Sequence, residues 1–166
     1  SANKFVARRA LPVYEKQYFP EKLLGEALPD YKTAGKTLHE DDAIRLWTLD
    51  DEVVIASIKT KMHAISPDVC EGLNLAVEMA EKDYEAVVVW SGSEPFSVGA
   101  DLQAMLPAFM MAGVSAVEGA EHEMQQTMLR LRYANVPVVS AIRGMALGGG
   151  CELAVHSARR VAHMES

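Results

Sequence analysis

Two short runs of apolar residues constrain the fold of this chain more than any other feature of its sequence. Residues 86–90 read AVVVW and residues 137–142 read PVVSAI, each long enough for one strand. A largely apolar run of this length is typical of a strand that is covered on both faces. Such strands belong to sheets with helices packed against them, and helical patterns separate the two runs here. The sequence therefore predicts an α/β fold with a largely parallel sheet.

The segment ahead of the first run predicts a hairpin followed by a helix. Residues 44–49 (IRLWTL) and 52–58 (EVVIASI) read as two strands joined by a tight turn at residues 50–51. Ser66 and Pro67 then mark a helix start, since serine is a favoured cap and proline fits the first helical position. Apolar residues follow at helical spacing and are expected to face the core: Val69, Leu73, Ala76, Val77 and Ala80.

Further elements are predicted between and after the two runs. One helix covers about residues 102–111, and a capping box of Ser115 and Glu118 opens the next. A short helix over 150–157 and a strand over 159–162 complete the pattern. The helix opened by the capping box has one apolar side, formed by Val117, Ala120, Met124, Met128 and Leu131.

Length and composition bound the class of protein. The 166 residues suffice for one domain. Residues 1–41 carry three of the seven prolines and no sustained apolar period, so we expect a linker or surface arm there and the domain in residues 42–166. A net charge of −7 argues against nucleic acid as a partner, and no apolar run approaches the roughly 20 residues that span a bilayer. Two cysteines, Cys70 and Cys151, make no disulfide framework, which favours a cytoplasmic location.

Two glycine-containing loops follow the apolar strands, where the carboxyl ends of parallel strands form a ligand crevice. The first contains FSVGADL (residues 96–102) and the second GMALGGGCELA (residues 144–154). Glycines let a ligand approach the main chain, and the first amides of a following helix have no partner within it. Two such amides, one from each loop, can together form an oxyanion hole, and Glu152 beside them suggests proton transfer near a polarised carbonyl. Taken alone, a glycine triplet is more often a turn or packing device.

The sequence FSVGADL, followed by PVVSAIRGMALGGGCELA, strongly resembles the enoyl-CoA hydratase/isomerase (crotonase) superfamily, and the resemblance covers about residues 44–163. It implies a crotonase-like spiral of ββα units in which acyl-CoA thioesters bind with the carbonyl held by two backbone amides. Those amides would belong to Val98 and Gly149. Many members have alanine where Val98 stands, but the backbone makes the contact.

The resemblance also assigns Glu152 to the first of two catalytic glutamates that handle water and a proton in the hydratases. The second lies some ten to twenty residues further on in the family, beyond residue 166. The resemblance thus implies the N-terminal portion of a crotonase-like domain, incomplete because its C-terminal part is absent, and inactive as a hydratase on its own.

Substrate contacts implied by the resemblance come from two segments. Residues 59–65 (KTKMHAI) contribute Lys61, Met62 and Ala64, and the loops contribute Gly99, Ala100, Asp101 and Gly148. Lys59 or Lys61 would meet the phosphates of coenzyme A, with an ordinary solvated lysine as the alternative. The family usually has asparagine where His63 stands.

The N-terminal segment ARRALPVYEKQYFPE (residues 7–21) resembles the connector in long bacterial chains that fuse a 3-hydroxyacyl-CoA dehydrogenase to a hydratase module. This implies fatty-acid β-oxidation, with a coenzyme A thioester as substrate and no covalently bound cofactor. NAD would bind only in the fused dehydrogenase, which these residues do not contain. Family members form homo-oligomers, so we expect a trimer or dimer and neither nucleic acid nor membrane as a partner.

Several alternatives remain open. The chain resembles double-bond isomerases, which manage with one glutamate, as well as hydratases, and a non-catalytic acyl-CoA-binding or assembly fragment is a third interpretation. The methionine-rich residues 105–113 suit an acyl pocket, the core or a trimer contact equally. Cys151 is expected to be a small buried residue rather than a nucleophile, and Ser97 lacks the G-x-S-x-G elbow of a hydrolase. The histidines at 39, 63, 122, 156 and 163 lack the paired spacing of zinc ligands, so no metal is expected.

Overall fold

The computed structural model describes residues 32–163 and Ser166. The described residues all belong to one compact unit. Most of the predicted arm lies outside the described residues. One strand, Lys36–Glu40, lies within the segment assigned to the arm and was not predicted; the boundary at residue 42 itself stays a prediction.

Six strands form one sheet in the described part of the chain, in their sequence order. Strand β2 (Ile44–Thr48) pairs antiparallel with both β1 (Lys36–Glu40) and β3 (Val53–Ile58), and the turn between β2 and β3 confirms the predicted hairpin. From β3 onward the pairing is parallel, through β4 (Ala86–Val89), β5 (Val138–Ile142) and β6 (Arg159–Ala162). Consecutive parallel neighbours place the loops after β4 and β5 side by side at one edge.

Helix α1 (Pro67–Asp83) packs on the sheet as its sequence pattern predicts. The Ser66 hydroxyl accepts from the amide of Val69 at 3.3 Å, and the expected apolar positions are all buried. Gly72 lets the helix lie directly on β2, because a Cβ there would stand 2.3 Å from Cγ2 of Ile44. Helix α1 with β2, β3 and β4 thus forms the centre of the core.

Helix α2 (Leu102–Ala112) and helix α3 (Val114–Arg132) form a second layer, with α3 packed on α1. The predicted capping box at Ser115 is wrong. Gly113, at φ 65°, ends α2 and opens α3, so Ser115 already lies in the first turn, where its hydroxyl donates to the carbonyl of Ala112 at 2.8 Å. The expected apolar side of α3 does face inward, ending in the buried Met128 and Leu131.

Helix α4 (Gly149–His156) follows β5 and its loop, one residue earlier than predicted, and leads into β6. Of the helices in the described residues, none is long and apolar enough to cross a membrane. The observed order of strands and helices confirms the predicted α/β fold with a largely parallel sheet.

Candidate active site

The loops after β4 and β5 run alongside each other at the carboxyl edge of the sheet. Ser97 and Ala146 form a parallel bridge in which the Ser97 amide donates to the carbonyl of Met145 at 3.2 Å. The amide of Leu147 in turn donates to the carbonyl of Ser97 at 2.9 Å. The two motifs that were separated by some 40 residues of sequence therefore meet, as the crevice prediction required.

Gly99 and Gly149 make the closest approach between these loops. Gly99 has φ +91°, and a Cβ on it would stand 2.8 Å from the carbonyl oxygen of Leu147 and 2.9 Å from the amide nitrogen of Gly149. A side chain at this position would overlap main-chain atoms that cannot move independently of the loop. Glycine is therefore required here by both backbone conformation and space.

The two predicted amide donors differ in what they bind. The Gly149 amide opens α4 and has no acceptor within the described part of the chain, although the residue is buried. The Val98 amide donates to the carbonyl of Met62 across a long 3.3 Å bond. Buried amides are nearly always paired, so a buried amide without an acceptor, such as that of Gly149, is a candidate donor to a ligand. A ligand oxygen that accepts from the Gly149 amide would have two donors if it also replaced the Met62 carbonyl as the acceptor of the Val98 amide.

The segment with the predicted coenzyme A contacts borders the first loop. Residues 61–63 form a 3-10 turn in which Met62 and His63 have φ values of 55° and 52°. The amide of Ile65 donates to the carbonyl of Gly99 at 2.7 Å, and the amide of Asp101 donates back to Ile65 at 2.9 Å. The structure thus brings this segment together with the loop of residues 96–101, which the sequence predicted only by resemblance.

Individual side chains of this segment differ in exposure. Lys61 is exposed and forms no ion pair with any described residue, and Met62 is half-exposed, whereas Ala64 is buried. Lys59 pairs with the Glu40 carboxylate at 2.9 Å and also donates to the carbonyl of Asp41, so its charge is already used.

The remaining predicted contacts are backbone positions. The Asp101 carboxylate caps α2 by accepting from the amides of Gln103 and Ala104, both at 3.0 Å, so its side chain is structural. Ala100 is paired with Ile65 in a parallel bridge. Gly148 has φ 48° and open space where a Cβ would lie, which leaves the entrance to the Gly149 amide uncovered.

Glu152 lies in the first turn of α4 and is exposed. It lines a cavity of about 320 Å³ between α3 and α4, together with Gln125, Met128, Leu129 and His156. The ring of His156 donates from Nδ1 to the main-chain carbonyl of Glu152 at 2.8 Å. Glu152 therefore borders a cleft and lies on the same helix as Gly149, whose amide has no acceptor among the described residues.

A second cavity of about 210 Å³ lies between the start of α1, α2 and α3. Cys70, Met105 and Met124 are among its lining residues, and a Cβ on Gly149 would stand 3.1 Å from Sδ of Met124. This cavity is mainly apolar and adjoins the Gly149 amide. Of the methionine-rich segment, Met105 lines it, while Met110 and Met111 are exposed on α2.

The structure also bears on what the sequence predicted for the two cysteines and for metal ligands. Cys151 is exposed, so the expectation of a small buried residue is wrong: the side chain points outward from α4 while Leu153 and Ala154 form its inner face. Burial raises the pKa of the Cys70 thiol to about 11. Within the described residues, no three histidine, cysteine or acidic side chains are grouped as metal ligands.

The site contains three contacts that no local pattern in the sequence indicated. They are made by Ser97, by His63 and by the ion pair of Arg143 with Glu94. The Ser97 hydroxyl is fully buried and donates to the His63 carbonyl at 2.6 Å, which is incompatible with a hydrolase nucleophile. The buried His63 ring donates from Nδ1 to the carbonyl of Pro95 at 2.6 Å. Arg143 and Glu94 form an ion pair between the two loops at 3.1 Å. These contacts join residues far apart in sequence, which no motif or period reveals.

Comparison with known proteins gives the same family. Residues 52–166 match the family described as Enoyl-CoA hydratase/isomerase. The chain is 35% identical to the "Putative fatty acid oxidation complex trifunctional enzyme" of Rickettsia felis over 76% of its own length, and 31% identical to the "Probable 3-hydroxyacyl-CoA dehydrogenase" of Bacillus subtilis over 81%. It spans 17% of the length of each of these relatives.

The fold matches solved structures as well. An enoyl-CoA hydratase/isomerase from Xanthobacter autotrophicus Py2 superimposes with a TM-score of 0.69 at 28% identity, covering 77% of this chain and 48% of the solved one. The sequence match covers more than half of the chain, including both loops and the helix that carries Glu152. The chain therefore belongs to the enoyl-CoA hydratase/isomerase family.

Proposed function

We propose that this chain supplies the acyl-CoA-binding part of an enoyl-CoA hydratase that adds water to a trans-2-enoyl-CoA in fatty-acid β-oxidation. The amides of Val98 and Gly149 hold the thioester oxygen, and Glu152 acts as an acid and base. The observation that carries this proposal is the unpartnered Gly149 amide, which faces the loop of Gly99 at the start of the helix that bears Glu152.

The chemistry follows from where negative charge develops. Addition of water to the β-carbon of an enoyl thioester moves electron density onto the thioester oxygen. Each amide that donates to this oxygen stabilises the transition state by roughly 3 kcal/mol. The Gly149 amide is ready to donate, while the Val98 amide exchanges its 3.3 Å bond to Met62 for the ligand. Glu152 then moves a proton between water and substrate, together with a second glutamate that the resemblance places in a later segment of the same protein.

Coenzyme A would follow the surface formed by residues 61–64 and 99–101. Exposed Lys61 offers a charge for a phosphate group, and Met62 offers apolar contact for the pantetheine arm. The backbone of Gly99, Ala100 and Gly148 lines the approach to the Gly149 amide. The backbone of Asp101 continues this surface, while its carboxylate caps α2.

The names of the relatives support a fusion with a dehydrogenase. A trifunctional fatty acid oxidation enzyme and a 3-hydroxyacyl-CoA dehydrogenase both contain a region similar to this chain. We therefore propose a fusion in which NAD binds in the dehydrogenase part alone, in a cytoplasmic homo-oligomer. The 166 residues by themselves are proposed to lack hydratase turnover, because they hold one of the two glutamates.

The test is Glu152→Gln in the full-length protein that contains this chain. Acid–base groups contribute about 10²–10⁴-fold to turnover, so we expect a loss of that size with crotonyl-CoA. Binding of butyryl-CoA, which cannot be hydrated, should be retained, because the glutamine has almost the same shape. Glu78→Gln, an exposed position on α1, is the matched control and should change neither quantity. Unchanged turnover in Glu152→Gln would remove this residue from the mechanism.

A double-bond isomerase is the second candidate. Among the described residues, Glu152 is the only carboxylate that lines its cavity, and a single carboxylate suffices to move a proton between two carbons. Parallel assays with 3-enoyl and 2-enoyl thioesters separate the two reactions. Conversion of the 3-enoyl substrate without hydration of the 2-enoyl product would favour the isomerase. Binding without either conversion would favour the non-catalytic alternative.

A further inference from the structure

Ser97 joins three segments of the candidate site through one buried side chain. Its hydroxyl donates to the carbonyl of His63 at 2.6 Å and accepts from the amide of Gly99 at 3.1 Å. Its own amide and carbonyl bind Met145 and Leu147 in the second loop. The side chain is fully buried, so water does not compete for these bonds.

We propose that Ser97 is a positioning residue that holds the Val98 amide in line with the Gly149 amide. This inference rests on the oxyanion hole of the proposed function. Val98 lies between Ser97, whose backbone is fixed to the second loop, and Gly99, whose amide is fixed by the Ser97 hydroxyl. The direction of the Val98 N–H is set by these two neighbours.

The same hydroxyl also controls the group that competes for the Val98 amide. Met62, whose carbonyl accepts from Val98, directly precedes His63, whose carbonyl accepts from Ser97. Both residues have left-handed backbone conformations, which a non-glycine residue adopts at a cost and keeps only when its surroundings hold it. Ser97 therefore keeps Met62 at the long 3.3 Å distance, where a ligand oxygen can replace it.

The second loop leaves Ser97 no room to shift. A Cβ on Gly150 would stand 2.6 Å from the Ser97 carbonyl oxygen and 2.7 Å from its Cβ. Removal of the hydroxyl would leave the buried Gly99 amide and the His63 carbonyl without partners, while the packing around the side chain stays the same. We therefore expect Ser97→Ala to change the backbone conformation at Val98 without leaving a cavity at residue 97.

The experiment compares Ser97→Ala with Ser57→Ala in the full-length protein. Ser57 is also fully buried, and its hydroxyl likewise donates to a carbonyl, that of Trp90 at 2.7 Å, and accepts one bond, from the Trp47 ring at 2.9 Å. The two variants lose the same kind of interactions and should melt at similar temperatures. Only Ser97→Ala should lower kcat.

We expect kcat for crotonyl-CoA to fall about 10-fold to 100-fold in Ser97→Ala with KM nearly unchanged, less than the roughly 10²–10³-fold loss seen when an oxyanion donor is removed outright. The infrared carbonyl band of bound butyryl-CoA reports hydrogen bonding directly. It should move toward its frequency in free solution in Ser97→Ala and stay in place in Ser57→Ala. Ser97→Cys, which keeps a weak donor of similar size, should give intermediate kcat and an intermediate band.

Equal kcat in Ser97→Ala and Ser57→Ala, or an unmoved carbonyl band, would overturn the positioning role while leaving the oxyanion hole in place. If Ser97→Ala does not fold, Ser97→Cys with wild-type kcat and band would overturn it equally. A different result identifies failure of the proposed function itself: a wild-type protein that neither converts 2-enoyl or 3-enoyl thioesters nor shifts the carbonyl band of butyryl-CoA.

Discussion

Gly150→Ala tests whether the two loops are packed as closely as the structure indicates. A Cβ at this position would lie 2.6 Å from the carbonyl oxygen of Ser97 and 2.7 Å from its Cβ, distances that normal contacts do not reach. The new methyl group therefore must push the loop of residues 96–101 away from α4. The variant adds one carbon atom and changes no charge, so its effects come from this displacement.

The size of the effect is the sum of two opposing terms. Alanine in place of glycine in a helix gains up to about 1 kcal/mol of stability. Overpacking of a tight contact costs about 1–3 kcal/mol, and here the contact is with main chain, which yields least. We expect a net loss of about 1–2 kcal/mol, or a fall in Tm of roughly 2–8 °C for a unit of this size.

Gly119→Ala is the matched control, because it makes the same chemical change within α3. A Cβ there meets nothing within 4 Å, so the helix gain of about 1 kcal/mol should appear undiminished and raise Tm by roughly 2–4 °C. The assay is thermal unfolding followed by circular dichroism, with crotonyl-CoA turnover of the full-length protein measured in parallel.

Turnover should fall in Gly150→Ala alone. Displacement of reacting groups by about 1 Å costs on the order of 100-fold in rate, and a shift of several tenths of an ångström at Ser97 moves both predicted amides. If both glycine variants raised Tm equally and kept full turnover, the loop of residues 96–101 would not be packed against Gly150 as described.

Two further predictions concern ionisable groups outside the site. Glu81 accepts from the Arg130 guanidinium at 2.8 and 2.5 Å and from the Asn135 amide at 2.9 Å, and these donors lower its pKa to about 2. Because the pKa is lowered, the stabilisation by Glu81 is complete above about pH 4.5 and is lost as the pH falls toward 2. Glu81→Gln should therefore flatten the pH dependence of the free energy of unfolding across that interval. An unaltered pH profile would contradict this prediction. At pH 8, iodoacetamide should label Cys151, which is exposed, and leave Cys70 unlabelled, because burial raises the pKa of Cys70 to about 11 and blocks access. Peptide mass spectrometry measures both sites, and rapid labelling of native Cys70 would show that α1 is less closely packed than described.

Most of the secondary structure could be predicted from the amino-acid sequence alone. Short apolar segments located β2 to β5, the Ser66-Pro67 pair located the start of α1, and glycines marked the two loops. Strand β6 was also predicted, although its four residues are exposed and carry no apolar pattern. These signals are local, because each strand or helix was predicted from residues that are close together in the sequence. Local reading failed at Ser115, where the backbone of Gly113 rather than a side-chain cap sets the start of α3. It also missed β1, whose pairing with β2 is what makes a polar segment a strand.

The contacts that hold the candidate site in place could not be predicted from the sequence, because they form between distant segments. The Ser97 hydroxyl reaches a carbonyl 34 residues away, and the Val98 amide is shared with Met62, so neither contact has a period or motif to mark it. The glycines at 99 and 149 were visible in the sequence, but their separation depends on how β4 and β5 align in the sheet. Sequence specifies which groups are available, whereas hydrogen-bond geometry between distant segments depends on the packing of the whole core.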